Sequence, residues 1–166
     1  LDTDNTITSN TITGFVNGVV IEEDAVSTNT ANATISSNII SGNTTGILVN
    51  GASATITNNF IVGNATGVAA DGNAEVTVFE NDLSGNTVAV DGGSSVAVNA
   101  SGNAYGVASP AAVAALITGS VDYTPWLDSS ADVGGDPSDG FQGDFSYLHV
   151  DDVPQTGSKG RIQEAI

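Results

Sequence analysis

The chain has 166 residues and no cysteine, enough for one domain with a real core but with neither disulfides nor thiolate-metal chemistry. Two Lys/Arg stand against nineteen Asp/Glu, and a net charge of −17 argues against nucleic acid and against anionic membrane surfaces as partners. No apolar run reaches membrane-spanning length, so no membrane insertion is expected, and Leu1 opens no signal peptide.

Taken in order, residues 6 to 21 (TITSNTITGFVNGVVI) form a first unit, with Ile7, Ile12, Val19 and Ile21 as its apolar positions. The next unit starts 28 residues on, and the extra residues fall within 22 to 33 (EEDAVSTNTANA). Glu22, Glu23 and Asp24 there could collect a Ca²⁺, but no ligand spacing is recognisable and a solvated loop explains them. From 34 to 93 the chain repeats itself as TISSNIISGNTTGILVNGA, TITNNFIVGNATGVAADGN and TVFENDLSGNTVAVDGG. Ile35, Ile56 and Val78 fall in one column, and Ile40, Ile61 and Leu83 in a second. Ile47, Val68 and Val88 make a third, with Val49, Ala70 and Val90 two residues on. So aligned, the period is 21 residues, then 22 in the first half and 20 in the second half of the next unit. A fifth unit, SSVAVNASGNAYG, brings Val96, Val98 and Asn103, and the pattern is read as ending there.

A fixed period of this length marks a solenoid. Each unit holds three short alternating runs (T-I-T, F-I-V and V-A-A in the central copy) divided by Asn/Gly corners, where left-handed backbone is needed. The corners forbid a helical repeat, and the L-x-x-L-x-L frame of leucine-rich repeats is absent. Three strands and three corners per turn predict an all-β fold: a right-handed, three-sided parallel β-helix of about five coils of 20–28 residues, with a short helix and an irregular C-terminal cap. Like residues then stack at about 4.8 Å, so Asn38, Asn59, Asn81 and Asn103 should form one amide ladder and Asn43, Asn64 and Asn86 another.

These residues carry a resemblance. The N-x-I-x-G-N-x-x-G-I-x-V pattern, here NIISGNTTGILV, resembles the parallel β-helix repeat of pectate-lyase-like secreted and cell-surface proteins, over residues 6 to about 106. VDYTPWL (121 to 127) and GNAYG are similar to stretches that follow such repeats in bacterial extracellular proteins. The resemblance is specific for fold and nearly silent on activity. Relatives that cleave uronic-acid polymers by β-elimination need a basic residue and cations. Here Lys159, Arg161 and His149 all lie past the coils, and the N-T-D, D-D, G-H-G and R-I-K signatures of hydrolases on this fold are absent. Glu75, Glu80 and Asp82 could in principle pair as acid and base, but Glu80 and Asp82 flank a ladder corner and read as solvated surface. No catalytic residue is assigned.

Outward positions offer further readings. Thr6/Thr8, Thr34/Ser36 and Thr55/Thr57 form a partial T-x-T face of the kind β-solenoid ice binders use, broken at Thr77/Phe79 and Ala97/Asn99, and Thr is also simply a good strand residue. The Asp-Gly corners at Asp71 and Asp91 would stack two acids with a cation between them, although Asp-Gly is a preferred turn dipeptide in its own right. Asn32, Asn43, Asn64 and Asn99 sit in N-x-S/T sequons, which an Asn/Thr-rich chain produces by accident.

After 106 the texture changes, and residues 107–127 are predicted to be a helix over PAAVAALI (110 to 117) followed by an aromatic cap. Tyr123 and Trp126 are expected to lie over the last coil, with sugar stacking on Trp126 as the functional rival. Residues 128–144 read as an acidic loop, in which Asp132 and Asp136 are further Ca²⁺ candidates. Ca²⁺ is the one cofactor these residues suggest. Residues 145–166 read as a strand and an amphipathic helix with Ile162 and Ile166 on one face, resembling the start of another β-helix. The chain reads as a fragment or processed form of something longer, secreted or at a cell surface, given its acidity and its Asn, Thr and Gly content. The expected role is a non-catalytic structural or adhesive module that assembles end to end with copies of itself or adjacent β-helix domains, through Leu1, Tyr123, Trp126 and the tail. The alternative is a carbohydrate-binding or polysaccharide-processing module of a larger secreted enzyme.

Overall fold

The structure, a computed structural model, describes residues 4–23 and 31–150. Leu1, Asp24, Lys159, Arg161, Ile162 and Ile166 lie outside the described residues, so the expectations placed on them are not addressed by it.

Three parallel sheets form the sides of a coil. The first side stacks β1 (Asp4–Thr8), β4 (Asn32–Ser36), β7 (Ser53–Thr57), β10 (Glu75–Phe79), β12 (Val98–Asn99) and β14 (Val121–Asp122) in that order. The second stacks β2 (Thr11–Thr13), β5 (Ile39–Ser41) and β8 (Phe60–Val62), and is extended by single bridges from Phe60 to Asp82, Asp82 to Ala104 and Ala104 to Leu127. The third stacks β3 (Asn17–Glu22), β6 (Thr45–Asn50), β9 (Thr66–Asp71), β11 (Val88–Gly92) and β13 (Ile117–Gly119). Five coils are therefore complete and a sixth has begun.

Strands this short exist because each coil supplies the hydrogen-bond partners of the next, and side chains alternate in and out along each of them. Thr34 and Thr55 face solvent, whereas Ala33, Ile35, Ala54 and Ile56 are buried. Ile7, Ile35, Ile56 and Val78 stack along the first side in register, and Ile12, Ile40 and Ile61 along the second. At the fifth coil the first column passes to the smaller Ala100 and the second to the larger Tyr105, so the summed cross-section is kept. The Tyr105 hydroxyl donates to Ala100 O at 2.8 Å, and burial pushes its ionisation well above the usual phenol range.

Two features differ from the expected register. The third column runs Val19–Ile47–Val68–Val90–Ile117, with Gly92 and not Val90 beside Ala70, and Val88 lies against Thr66. The spacing is thus 22 throughout that unit, as it is for the ladder pair Asn64–Asn86. Matching the two Asp-Gly dipeptides gave 20 because it aligned turns by identity and not by side. In addition, coiling continues past residue 106. Val98 and Val121 are paired, whereas Val96 is exposed and belongs to no strand.

The helix is α1 (Pro110–Ala114), an insertion within the fifth coil. Ser109 is its N-cap and accepts a hydrogen bond from Ala112 N, Pro110 opens its first turn, and Val113 is buried. It is shorter than expected because Ile117 is drawn into β13 by pairing with Val90.

At the start of the third side two glycines allow the coils to approach closely. A Cβ on Gly46 would stand 2.6 Å from Gly67 O, and one on Gly67 would stand 2.6 Å from Ala89 O. Gly67→Ala should therefore lower stability by about 1–3 kcal/mol through overpacking against backbone, measured by urea unfolding. An unchanged midpoint would show that the stack yields freely at this corner.

Candidate functional site

The polar constellation that runs through the molecule lies at the first corner. Residue pairs Ser37–Asn38, Asn58–Asn59 and Glu80–Asn81 make two-residue turns whose first member is left-handed, with φ of 56°, 57° and 55°. This geometry turns each following Asn inward, where Asn38, Asn59, Asn81 and Asn103 are fully buried. Asn59 shows the pattern. Its Oδ1 accepts from Asn38 N (2.9 Å) and Asn38 Nδ2 (3.0 Å). Its Nδ2 donates back to Ile35 O in the preceding coil, to Thr57 O in its own, and to Asn81 Oδ1 in the next, all at 2.9 Å. The second ladder repeats this at the next corner, with Phe15, Asn43 and Asn64 donating N–H to Asn43, Asn64 and Asn86 Oδ1 at 2.9, 3.0 and 2.8 Å. Asn10 also belongs to the first ladder, donating N–H to Asn38 Oδ1 at 2.9 Å. Sequence reasoning missed it, though its place five residues before Phe15, like Asn38 before Asn43, was a usable signal.

The two ends of the solenoid differ. At the N-terminal end β1, β2 and β3 each pair on one side only among the described strands. Ile7 and Ile12 are only half-buried there, and Phe15 and Val16 are 57% and 73% exposed. At the other end Leu127 bridges Ala104, so Trp126 takes the place above Asn103 that an asparagine would otherwise hold. The segment expected to lie over the last coil is instead the first part of a sixth. Tyr123, Trp126 and Leu127 are buried within it. Leu127 also pairs antiparallel with Leu148 of β16 (Leu148–His149), and the His149 ring stacks on Trp126 with centroids 5.4 Å apart. His149 Nε2 lies 2.6 Å from Asp128 Oδ1. Trp126, at 0% exposure, presents no face to a sugar, and its Nε1 has no hydrogen-bond partner among the described residues.

Residues 128–144 are not a free linker. Phe141 is buried edge-on against Phe60 at 5.6 Å, Phe141 N donates to Asn58 O at 3.0 Å, and Ser37 Oγ donates to Asp139 O at 3.2 Å. Asp132 and Asp136 spend their carboxylates on turns. Asp132 Oδ1 accepts from Gly134 N (3.2 Å) and Gln142 N (3.0 Å), and Asp136 Oδ1 accepts from Ser138 N at 2.9 Å. Asp71 and Asp91 are not stacked. Asp71 stands in the outward row Glu22–Asn50–Asp71, and Asp91 in the row Val20–Leu48–Ala69–Asp91–Thr118, two positions away along the strand. The correct 22-residue spacing places Gly93 next to Asp71, so no carboxylate pair forms for a cation to bridge. Among the described residues no three His, Asp or Glu side chains come together as a metal cluster.

The three carboxylates weighed for catalysis are dispersed. Glu75 projects from β10, Glu80 sits at the left-handed corner, and Asp82 belongs to the second side. Asp82 is buried, not solvated, because the Ser84 N–H at 2.9 Å satisfies its Oδ1 at the edge of the Phe60–Phe141 cluster. The T-x-T face breaks at Phe79 as read: Thr6, Thr34, Thr55 and Thr77 are in register and exposed, and Asn99, not Ala97, follows Thr77. Its flanking row stops at Phe79, which stacks with Phe145 at 5.6 Å. An open groove of about 350 Å³ crosses this face beside Asn32, Thr55, Glu75, Thr77 and Asn99. Asn43 and Asn64 are buried in their ladder, so those two sequons cannot carry a sugar without dismantling it.

Asn59→Ala should cost about 3 kcal/mol or more, because it orphans buried groups in two neighbouring coils. Asn10→Ala, at the end of the same ladder, should cost under about 1 kcal/mol because its surroundings are wet. Equal losses on urea unfolding would refute the ladder as the structural spine. Backbone and hydroxyl hydrogen bonds from Ser138 hold the Asp136 carboxyl below the 3.8 of a free aspartate, and Ser146, hydroxyl first and then backbone, does the same for Asp144. With folded values depressed, the stabilisation by these caps is complete above 3.8 and is lost as pH falls through the lowered values. A carboxyl NMR titration should give midpoints below 3.8 for both, and midpoints at or above it would remove the caps.

The family described as right handed beta helix region matches residues 1–107. Neither the curated proteins nor the solved structures include a match to the chain. With most of the sequence covered and every coil paired in parallel, the chain belongs to the right-handed β-helix family.

Proposed function

We propose that the chain is a non-catalytic structural module of an extracellular β-helix protein, which joins neighbouring β-helix domains end to end. One observation carries the reading: among the described strands, the coil stack carries unpaired strand edges at both ends, and only the second side of the last coil is closed over. Trp126, His149 and β16 close the second side of the last coil, while β1, β2 and β3 at one end and β13 and β14 at the other present one unpaired edge each among the described strands. Open edges are costly unless they pair, so the ends of the stack are where assembly energy is available. The lack of catalysis is supported by the dispersal of Glu75, Glu80 and Asp82 over different sides of the coil. Extracellular placement rests on the acidic composition with its high Asn, Thr and Gly content. A sugar platform at Trp126 loses its support because that ring is buried.

Incubation with neutral and uronic-acid polysaccharides, with and without Ca²⁺, should release no reducing or unsaturated ends. Product formation abolished by Glu75→Gln would overturn the non-catalytic reading.

A further inference from the structure

The four N-x-S/T sequons place their asparagines in three different environments. Asn43 and Asn64 are buried in the second ladder, their amides spent on Ile12 O, Ile40 O and the next asparagine of the stack. Asn32 is exposed but opens β4, which is held in register between β1 and β7. Its Nδ2 donates to Asp4 Oδ1 at 3.3 Å, and Thr34 lies further along the same extended strand. Neither a free amide nor a turn is offered there.

Asn99 differs on each count. It is exposed at the end of the two-residue strand β12, and among the described residues its Nδ2 makes no hydrogen bond. Its Oδ1 accepts from Ser101 N at 3.2 Å and from Ser101 Oγ at 2.8 Å, closing an Asx turn over the whole sequon. A primary amide is a poor nucleophile until its nitrogen sheds a proton. A hydroxyl already aimed at Oδ1 stabilises the negative charge that then collects on the oxygen. The surroundings also leave room. Residues 94–97 belong to no strand, and β12 meets β10 only where Asn99 lies on Thr77, so the sheet opens beside Asn99 into the groove of about 350 Å³.

We propose that Asn99 is an N-glycosylation acceptor, modified in the folded chain by a glycan carried on a polyprenyl diphosphate. Nδ2 attacks the anomeric carbon, the bond from that carbon to the diphosphate oxygen breaks, and polyprenyl diphosphate departs. The proton lost from Nδ2 passes to a carboxylate of the transferase, and nothing is oxidised or reduced. Transfer follows folding, because a glycan on Asn43 or Asn64 of the unfolded chain would keep the second ladder from forming. The attached glycan stands over Thr77 and the groove, and leaves the ends of the stack free for assembly. The site rests on the extracellular placement proposed above.

The first test is intact mass and peptide mapping of the full chain recovered from its native source. One glycan is expected, on Asn99, and none on Asn32, Asn43 or Asn64. The second test supplies a single-subunit oligosaccharyltransferase and a lipid-linked oligosaccharide to the folded chain and to a synthetic peptide of residues 95–106. Both should be modified. Asn99→Gln and Ser101→Ala in the folded chain should each lose the glycan, and Ser101→Thr should keep it. An unchanged urea midpoint in these variants separates loss of the acceptor from loss of the fold. A chain recovered outside the cell without a glycan on Asn99 would overturn the site. So would transfer to the peptide but not to the folded chain, or a glycan on Asn32 and not on Asn99, since exposure and not the turn would then decide. Recovery only from inside the cell would overturn the extracellular placement, whereas transfer by the purified enzyme reports on the site alone, so the two failures are distinguishable.

Discussion

The buried asparagine stack is the constraint on which the rest of the coil depends. A primary amide taken out of water must recover every hydrogen bond it gave up, and an interior built of Ile, Val and Ala has none to offer. The partners at hand are the backbone of the same corner, a carbonyl of the preceding coil and identical amides one coil away. Asn59 finds all three, through Thr57 O, Ile35 O and the amides of Asn38 and Asn81. Each coil must therefore repeat the same corner at the same depth, and a left-handed residue must precede the asparagine to aim it inward. The spacing of the strands, the stacking of the Ile columns and the polarity of the two ends all follow.

Satisfaction of this kind is relayed from coil to coil, so it matters most where the relay stops. Inside the stack the chain is over-determined, and the core can tolerate an exchange such as Ala100 with Tyr105 for a bulkier first-side residue with Leu83. At the C-terminal end an indole replaces the amide, and the outer face of that ring is covered by the imidazole of His149. The acidic segment after it is held to the flank of the solenoid by Phe141 and by side-chain hydrogen bonds from Asn58 Nδ2 and Ser37 Oγ to its backbone carbonyls. No comparable closure is made on the first coil among the described residues. Of the three sides of the last coil, only the second is closed over, and β13 and β14 remain edge strands.

The acidic residues show how local chemistry can mislead. Asp132, Asp136 and Asp144 resemble a ligand set in one dimension, but each binds a backbone N–H two residues further on. Asp82 reads as surface because it flanks a corner, yet the returning chain buries it beside Phe60. Asp71 and Asp91 look equivalent because each precedes a glycine. The register that separates them is set by Val68 and Val90 meeting in the core, and the turn dipeptide has no part in it.

What the sequence determined by itself was the coil: its period, its three sides, its Asn columns and its family. A repeat presents the same residues to the same neighbours each time, so local pattern and tertiary contact carry the same information. Where repetition stops, that identity is lost. The burial of Trp126 within a sixth coil, the docking of 128–144 by Phe141, the true register of β11 and the unequal ends were decided only by tertiary structure. Each depends on a contact between segments that share no pattern. Whether such segments meet is settled by which apolar surface is left uncovered once the coils have closed.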